Sequence, residues 1–294
     1  MIIKLFSSKN YEPEGLNYGD CILIDTGNDL IIYDCGSEEH AQRVEDYMTE
    51  RGYKQAIAVL SHNDSDHYDG FRYLVDKKLI SFFYAQLFLK HKDEIKKLLN
   101  DGRVTNKSLG KRITDDYDNI AELSGSVKLL DALELGDIVS GVTIVGPDKD
   151  YAFETVAKLL NNSEGDTKDA ETAYNAASVQ VSVQIKDKLV LLCGDASFAA
   201  IEDKIPDYQV IQLPHHGKGE TADKIFDAKS DDFLTVYLVS DNTGDTNGGS
   251  DKLKSAGRRV KSTLNGDVTY PDHVKSFPNP PLTLGKMESR WFYR

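Results

Sequence analysis

The chain has 294 residues, 40% of them apolar and 28% charged, which is enough hydrophobic material for a large core and too much for a mainly disordered chain. Its 48 acidic against 35 basic residues, a net charge of −13, argue against a protein that coats nucleic acid non-specifically. No stretch approaches the roughly 18 uninterrupted apolar residues of a membrane-spanning helix. The start, Met1-Ile2-Ile3-Lys4, meets charge after three residues and lacks a secretory apolar core, so a cytoplasmic location away from membranes is expected.

In chain order, Ile22–Ile24 and Leu30–Asp34 are β-branched runs separated by Thr26-Gly27-Asn28-Asp29, a hairpin signal. Ser37 reads as a helix N-cap, with Ala41, Val44 and Met48 at helical spacing and Gly52 closing the helix. Ala56–Leu60 has the length of a buried strand and stops at Ser61-His62-Asn63-Asp64-Ser65-Asp66-His67, after which Phe71, Leu74 and Val75 predict another helix. The middle, roughly 85 to 170, is helix-like and irregular and ends in the loop 161–166. Its first part is basic: from Lys77 to Arg112 ten Lys/Arg face three acids, net +7, which leaves −20 for the remainder. That segment, about 77–112, predicts a basic helical insert.

Strand signals return in Val179, Val181, Val183 and Ile185, alternating with polar residues, then in Leu189–Cys193, Val210–Leu213 and Thr235–Val239, followed by the Gly/Asn/Asp-rich loop Ser240–Ser250. Alternating strands and helices with no internal repeat or linker predict a layered α/β architecture. Cys21, Cys35 and Cys193 are an odd number without Cys-x-x-Cys spacing. They read as small buried apolar side chains rather than disulfides or zinc thiolates.

Four of the seven histidines fall in two short segments, His62/His67 and His215/His216, each just past the end of an apolar run, where α/β folds build their sites. Positions 62, 64 and 66 project to nearly one side of a strand-to-helix turn, His67 follows, and Asp195 stands after the strand 189–193. Singly, each has an ordinary explanation: a turn former, a helix cap, a surface imidazole. Gathered together, three carboxylates and two imidazoles would repel one another and be poorly solvated without a cation, so a metal centre is expected.

The segment 61–70 resembles the His-x-His-x-Asp-His signature of the metallo-β-lactamase fold, with Asp64 where the second histidine usually stands. This variant, led by Ser61, is similar to the subgroup represented by the metallo-β-lactamase-like domain of the DNA-uptake protein ComEC. Further resemblances follow in order: Gly19-Asp20-Cys21 and Tyr33-Asp34-Cys35-Gly36, Asn175-Ala176-Ala177-Ser178-Val179, Leu192-Cys193-Gly194-Asp195, Leu213-Pro214-His215-His216-Gly217 and Asn265-Gly266-Asp267. The resemblance implies one four-layer αββα domain over 1–294. It implies two divalent ions, Zn or Mn: one held by His62 and Asp64, with Asn175 as a further candidate, the other by Asp66, His67 and His216, and Asp195 bridging. His216 is preferred to its neighbour because it directly precedes Gly217. His215 is then left to support the site or protonate a leaving group, and Asp34 to hold the ligand loop. Asp64 and Asn175 in place of histidines make the first site oxygen-rich, which raises Mn relative to Zn.

The activity this implies is a metal-dependent phosphodiesterase or nuclease that uses a metal-bridging hydroxide, with Asp66, Asp195 and His215 in the catalytic set. Lys218, Lys96, Lys97, Lys111 and Arg112 are its candidate contacts to a nucleic acid or another phosphodiester, and Arg258, Arg259 and Lys261 could add a second basic contact. A solvated amphipathic helix pair is the ordinary alternative for the basic segment. Two competing functions remain open. One is hydrolysis of a small lactone, amide, thioester or cyclic phosphodiester. The other is a weakly catalytic, metal-bound recognition module beside a bacterial helicase or defence effector, with no residue showing which protein partner.

Overall fold

In the computed structural model, which describes residues 1–99, 104–116, 120, 122–123, 126–161, 171–242, 253 and 255–272, the strands form two seven-stranded sheets. The first contains β1 (Ile2–Leu5), β2 (Cys21–Asp25), β3 (Leu30–Cys35), β4 (Ala56–Val59), β5 (Ile80–Ala85), β6 (Lys128–Asp131) and the late strand β14 (Val268–Tyr270), in the order β14-β1-β2-β3-β4-β5-β6. The second contains β7 (Gly136–Val139), β8 (Val142–Gly146), β9 (Gln180–Ile185), β10 (Lys188–Leu192), β11 (Val210–Gln212), β12 (Val236–Val239) and β13 (Arg259–Ser262), in the order β13-β12-β11-β10-β9-β8-β7.

Side-chain alternation explains the layering. Along β2, Ile22 and Ile24 enter the apolar layer shared by the two sheets, while Cys21 and Leu23 face the helices outside. β10 does the same for the second sheet: Val190 and Leu192 point inward, Leu191 and Cys193 outward. Strands apolar on both faces must be covered on both, so helices pack on each outer surface and the result is a four-layer αββα sandwich. The three cysteines are free and buried within these layers.

The first sheet is covered by α1 (Glu38–Arg51), α2 (Ser65–Asp76), α3 (Lys92–Leu98), α4 (Asn106–Asp116) and α5 (Lys149–Asn161). The second is covered chiefly by α6 (Gly219–Ala228). The start and stop of α1 are those its sequence predicts: Ser37 Oγ accepts from His40 N at 3.2 Å, and Gly52 takes the left-handed backbone (φ 78°) that ends the helix.

Two expectations need correction. The segment 77–112 is not helical throughout, because Ile80–Ala85 is a strand paired in parallel with β4 and β6, and the helical part begins after it. The stretch 85–170 also contains β6, β7 and β8, runs of four or five residues: charged and exposed positions hide any period in β6 and β7, while β8 alternates but over five residues only. Of the predicted loops, 162–166 and 243–250 lie outside the described residues. No helix among the described residues is long and apolar enough to cross a membrane.

Strands β3 to β6 run parallel, as do β10 to β13. The carboxyl end of β3 carries Asp34, and the loops that leave the carboxyl ends of β4, β10, β11 and β12 carry His62, Asp195, His215/His216 and Ser240 to the same edge of the sandwich.

Candidate metal centre

The ligand loop between β4 and α2 is fixed by one buried carboxylate and by close backbone approach. Asp34 Oδ1 accepts from Ser61 N at 2.7 Å and Oδ2 from His67 Nδ1 at 2.9 Å, so one buried carboxylate ties both ends of the loop. The carbonyl of Asp66 accepts from Asp20 N at 2.9 Å. This approach demands glycine on either side: a Cβ on Gly19 or Gly36 would stand 1.6 or 2.0 Å from Asp66 O.

Four imidazoles are then oriented the same way. His67 Nδ1 donates to Asp34, His215 Nδ1 to Glu171 Oε2 at 2.6 Å, and His216 Nδ1 to Ser240 O at 3.1 Å, with Asp20 Oδ1 2.9 Å away. The Ser178 hydroxyl donates to Asn175 O at 2.8 Å, so its contact with His62 Nδ1 at 3.2 Å must receive the imidazole proton. Each Nδ1–H is therefore spent outward, and each Nε2 lone pair is left for the centre.

The inner atoms are carboxylate oxygens. Asp195, buried just past β10, presents Oδ1 to His67 Nε2 at 3.4 Å, and Oδ2 to His62 Nε2 at 4.0 Å and His215 Nε2 at 3.8 Å. Asp64 Oδ2 is 3.5 Å from His62 Nε2, while Asp66 Oδ2 is 3.3 Å from His216 Nε2 and 3.9 Å from His67 Nε2. His62, His67 and Asp195 form one set with all donor atoms within 4.8 Å, and Asp66, His67 and His216 another. Asp64 and His215 stand just outside the first set.

Lone pairs facing carboxylates need a proton or a metal between them. Without metal, burial disfavours an imidazolium at His67, yet Asp195, Asp66 and Asp34 outweigh it and lift its pKa well above the ordinary value. His216 is driven the same way against burial by Asp20 and Asp195, and His215 is raised by Glu171 and Asp195. Asp195 is held well below the carboxylate range, because His67 and His216 overcome the burial that opposes its charge. Asp64 and Asp66 are lowered as well, against their burial, by His62 and by His67 and His216 respectively.

The donors fit divalent metal. His62 Nε2, His67 Nε2 and Asp195 Oδ1 are buried with no hydrogen-bond partner among the described residues, an arrangement costly for a protein that leaves them so. Two donors each about 2.1 Å from a tetrahedral ion stand about 3.4 Å apart, close to the 3.3–4.0 Å separations here. A separate set, His91, Asp131 and Glu134, differs: His91 Nε2 is 2.8 Å from Asp131, and Lys149 Nζ is 2.9 Å from Glu134, so its charges are matched.

The loop carrying His215 and His216 has an unusual backbone. Both residues have positive φ (51° and 53°), followed by Gly217 at 81°. A non-glycine residue in this region costs about 1–2 kcal/mol. The strain splays the neighbouring rings, whose centroids are 5.8 Å apart at an interplanar angle of 76°.

Of the remaining predicted residues, Asn175 is tied to the site through Ser178, while its own Oδ1 accepts from Thr172 Oγ1 at 2.5 Å. Lys218 Nζ is held 2.7 Å from Glu171 Oε1. Lys96 and Lys97 occupy the last turn of α3 and Lys111 lies in α4, in the helical layer outside the first sheet. Nothing is described for the side chain of Arg112. Arg258 is engaged elsewhere, donating to the carbonyls of Lys229 and Phe226 at the end of α6, and Lys261 pairs with Asp272.

Sequence reasoning missed the anchors: Glu171, Asp20, Ser178 and Asn17, whose Nδ2 donates to Asp66 Oδ2 at 2.7 Å. Asp20 had a signal, a Gly-Asp pair opening a buried strand. Glu171 had none, being a lone acid 44 residues from its histidine.

The profile of the metallo-beta-lactamase superfamily matches residues 15–240. Among solved structures, the fold is similar to the metallo-beta-lactamase fold protein YhfI from Bacillus subtilis, at 12% identity and a TM-score of 0.52, covering 91% of this chain and 99% of that one. Igni18, a metallo hydrolase from Ignicoccus hospitalis, aligns at 15% identity and a TM-score of 0.47 over 92% and 99% of the two chains. Zn(2+)-bound PqqB from Methylobacterium extorquens aligns at 11% and 0.48, again over 92% and 99%. A search of curated proteins finds no match.

Proposed function

The chain belongs to the metallo-β-lactamase superfamily and is a metal-dependent hydrolase of it; within that class we propose a two-ion phosphodiesterase of the ComEC-type subgroup, a nuclease on single-stranded or end-accessible DNA or RNA. The observation that carries this reading is Asp195, whose two oxygens face different histidines: Oδ1 toward His67, Oδ2 toward His62. A carboxylate so placed suits a bridge between two ions. His62 and Asp64 would hold one, and Asp66, His67 and His216 the other. Zn or Mn bound there would acidify a water and take up charge on the phosphoryl oxygens of an in-line displacement.

The protein's own groups do the rest. Asn17 orients Asp66, and Asp34 keeps His67 in the tautomer whose Nε2 faces inward. Glu171 positions the ammonium of Lys218 two residues beyond His216, where it would meet an anionic substrate. The net +7 of residues 77–112, with Lys96, Lys97, Lys111 and Arg112, supports a polyanion in a chain that is otherwise acidic.

The test is cleavage of end-labelled single- and double-stranded DNA and RNA by metal-stripped protein re-supplied with Mn²⁺, Zn²⁺ or Mg²⁺, with Asp195→Asn alongside. Metal-dependent cleavage that disappears in Asp195→Asn is expected. Protein that holds two ions and cleaves none of these substrates would move the assignment to a small ester, amide or cyclic phosphodiester.

A further inference from the structure

We propose that the His215-His216-Gly217 loop gives one histidine to each ion, so that His215 is a ligand of the first ion where this sequence has Asn175. The inference rests on the two-ion reading above and changes its ligand set.

Four observations carry it. One lone pair of the Asn175 carbonyl is already used, since Oδ1 takes the Thr172 hydroxyl at 2.5 Å and Thr172 Oγ1 also caps Asn175 N at 3.2 Å, which ties this side chain to the cap of its own helical turn. His215 has the second contact that metal-binding histidines have: Nδ1 donates to the fully buried carboxylate of Glu171 at 2.6 Å, as His67 does to Asp34, which leaves Nε2 as a lone pair. That lone pair lies 3.8 Å from Asp195 Oδ2, the oxygen that also faces His62 Nε2 at 4.0 Å, and not the one that faces His67. A lone pair and a carboxylate oxygen held this way take a proton or a metal ion between them, and a metal ion there would serve His62 and His215 through the same Asp195 oxygen.

The backbone supplies the fourth observation. Left-handed φ at both His215 and His216 turns adjacent rings to face separate oxygens: Asp195 Oδ2 for His215 and Asp66 Oδ2, at 3.3 Å, for His216. Two consecutive left-handed residues are what lets one short loop present a histidine to each of two oxygens. The first ion would then have His62, Asp64, His215 and Asp195, a set richer in nitrogen than the sequence implied, and better suited to Zn.

The experiment counts ions by elemental analysis after equilibrium dialysis against Zn²⁺ and, separately, Mn²⁺. It compares wild-type protein with His215→Ala, Glu171→Gln and Asn175→Ala, each checked for folding by circular dichroism and thermal melting. Wild type and Asn175→Ala are expected to hold two ions, His215→Ala one. Glu171→Gln should keep the fold and bind the first ion roughly 10- to 100-fold more weakly. Two ions at wild-type affinity in both His215→Ala and Glu171→Gln would overturn the inference while leaving the two-ion reading intact. Loss of an ion in Asn175→Ala alone would return that position to Asn175. Fewer than two ions in the wild type would overturn both.

Discussion

Asp34 and His67 form a fully buried pair, Oδ2 to Nδ1 at 2.9 Å, at the point where the first sheet meets the ligand loop. Burial raises the pKa of Asp34, opposed by the charge and hydrogen bond of His67. The pair sets both the tautomer and the direction of His67. Replacing Asp34 with Asn keeps the volume but weakens the acceptor, and metal affinity should fall roughly 10- to 100-fold. Competition against a metal chelator measures it; unchanged affinity would remove Asp34 from the centre.

Gly19 is required twice over, by its left-handed backbone (φ 65°) and by the carbonyl of Asp66 against its α-carbon. Gly19→Ala should destabilise the fold by more than about 1 kcal/mol, and it should loosen metal binding because Asp66 must shift. A thermal melt and a metal titration on the same sample test both. A Gly27→Ala control, where no atom lies near, should leave metal binding unchanged.

Asp25 anchors a separate network. Burial opposes its charge, but Tyr47 and Tyr53 hydroxyls at 2.6 Å, Gly27 N at 2.7 Å and Arg51 Nε at 3.0 Å lower its pKa. A carboxylate whose folded pKa lies below its unfolded value stabilises the fold above the unfolded value, about 3.9, and loses that contribution as pH falls through the folded one. Asp25→Asn should therefore lower stability at neutral pH and reduce the loss between wild type and variant below about pH 4. Denaturant melts at pH 7 and pH 3 decide it. An equal deficit at both pH values would contradict the account.

Tyr33 ties the two sheets together, donating from its buried hydroxyl to Val179 O at 2.7 Å, one residue from Ser178. Tyr33→Phe removes the donor and leaves a buried carbonyl, at a cost of about 1–2 kcal/mol. The urea midpoint should drop without a change in slope. A variant as stable as wild type would show that the hydroxyl contributes nothing.

The fold was legible where burial repeats simply. Val181, Val183 and Ile185 show a period of two because one face of β9 packs between the sheets, and α1 is marked by Ser37 and Gly52 because caps are local chemistry. β6 and β7 escaped notice because they are short and partly exposed, so position in the sheet rather than pattern makes them strands, and β8 because its alternation runs for only five residues. At the site, His62 through His67 was readable as a compact cluster in a single turn. The roles of the groups that orient these histidines were not: Asp20 and Ser178 stood in recognisable segments but reach their imidazoles only through folding, and nothing in the sequence around Glu171 announces a histidine 44 residues away. The pair His215 and His216 was legible as a motif, but the division of labour between them depends on two φ angles.

The most direct measurement is anomalous diffraction from crystals grown with Mn²⁺ or Zn²⁺, collected at the absorption edge of each metal. The account expects two peaks about 3.5–4 Å apart, one on either side of the Asp195 carboxylate, with His67 and His216 on one and His62 on the other. A single peak, or two that do not share Asp195, would contradict it.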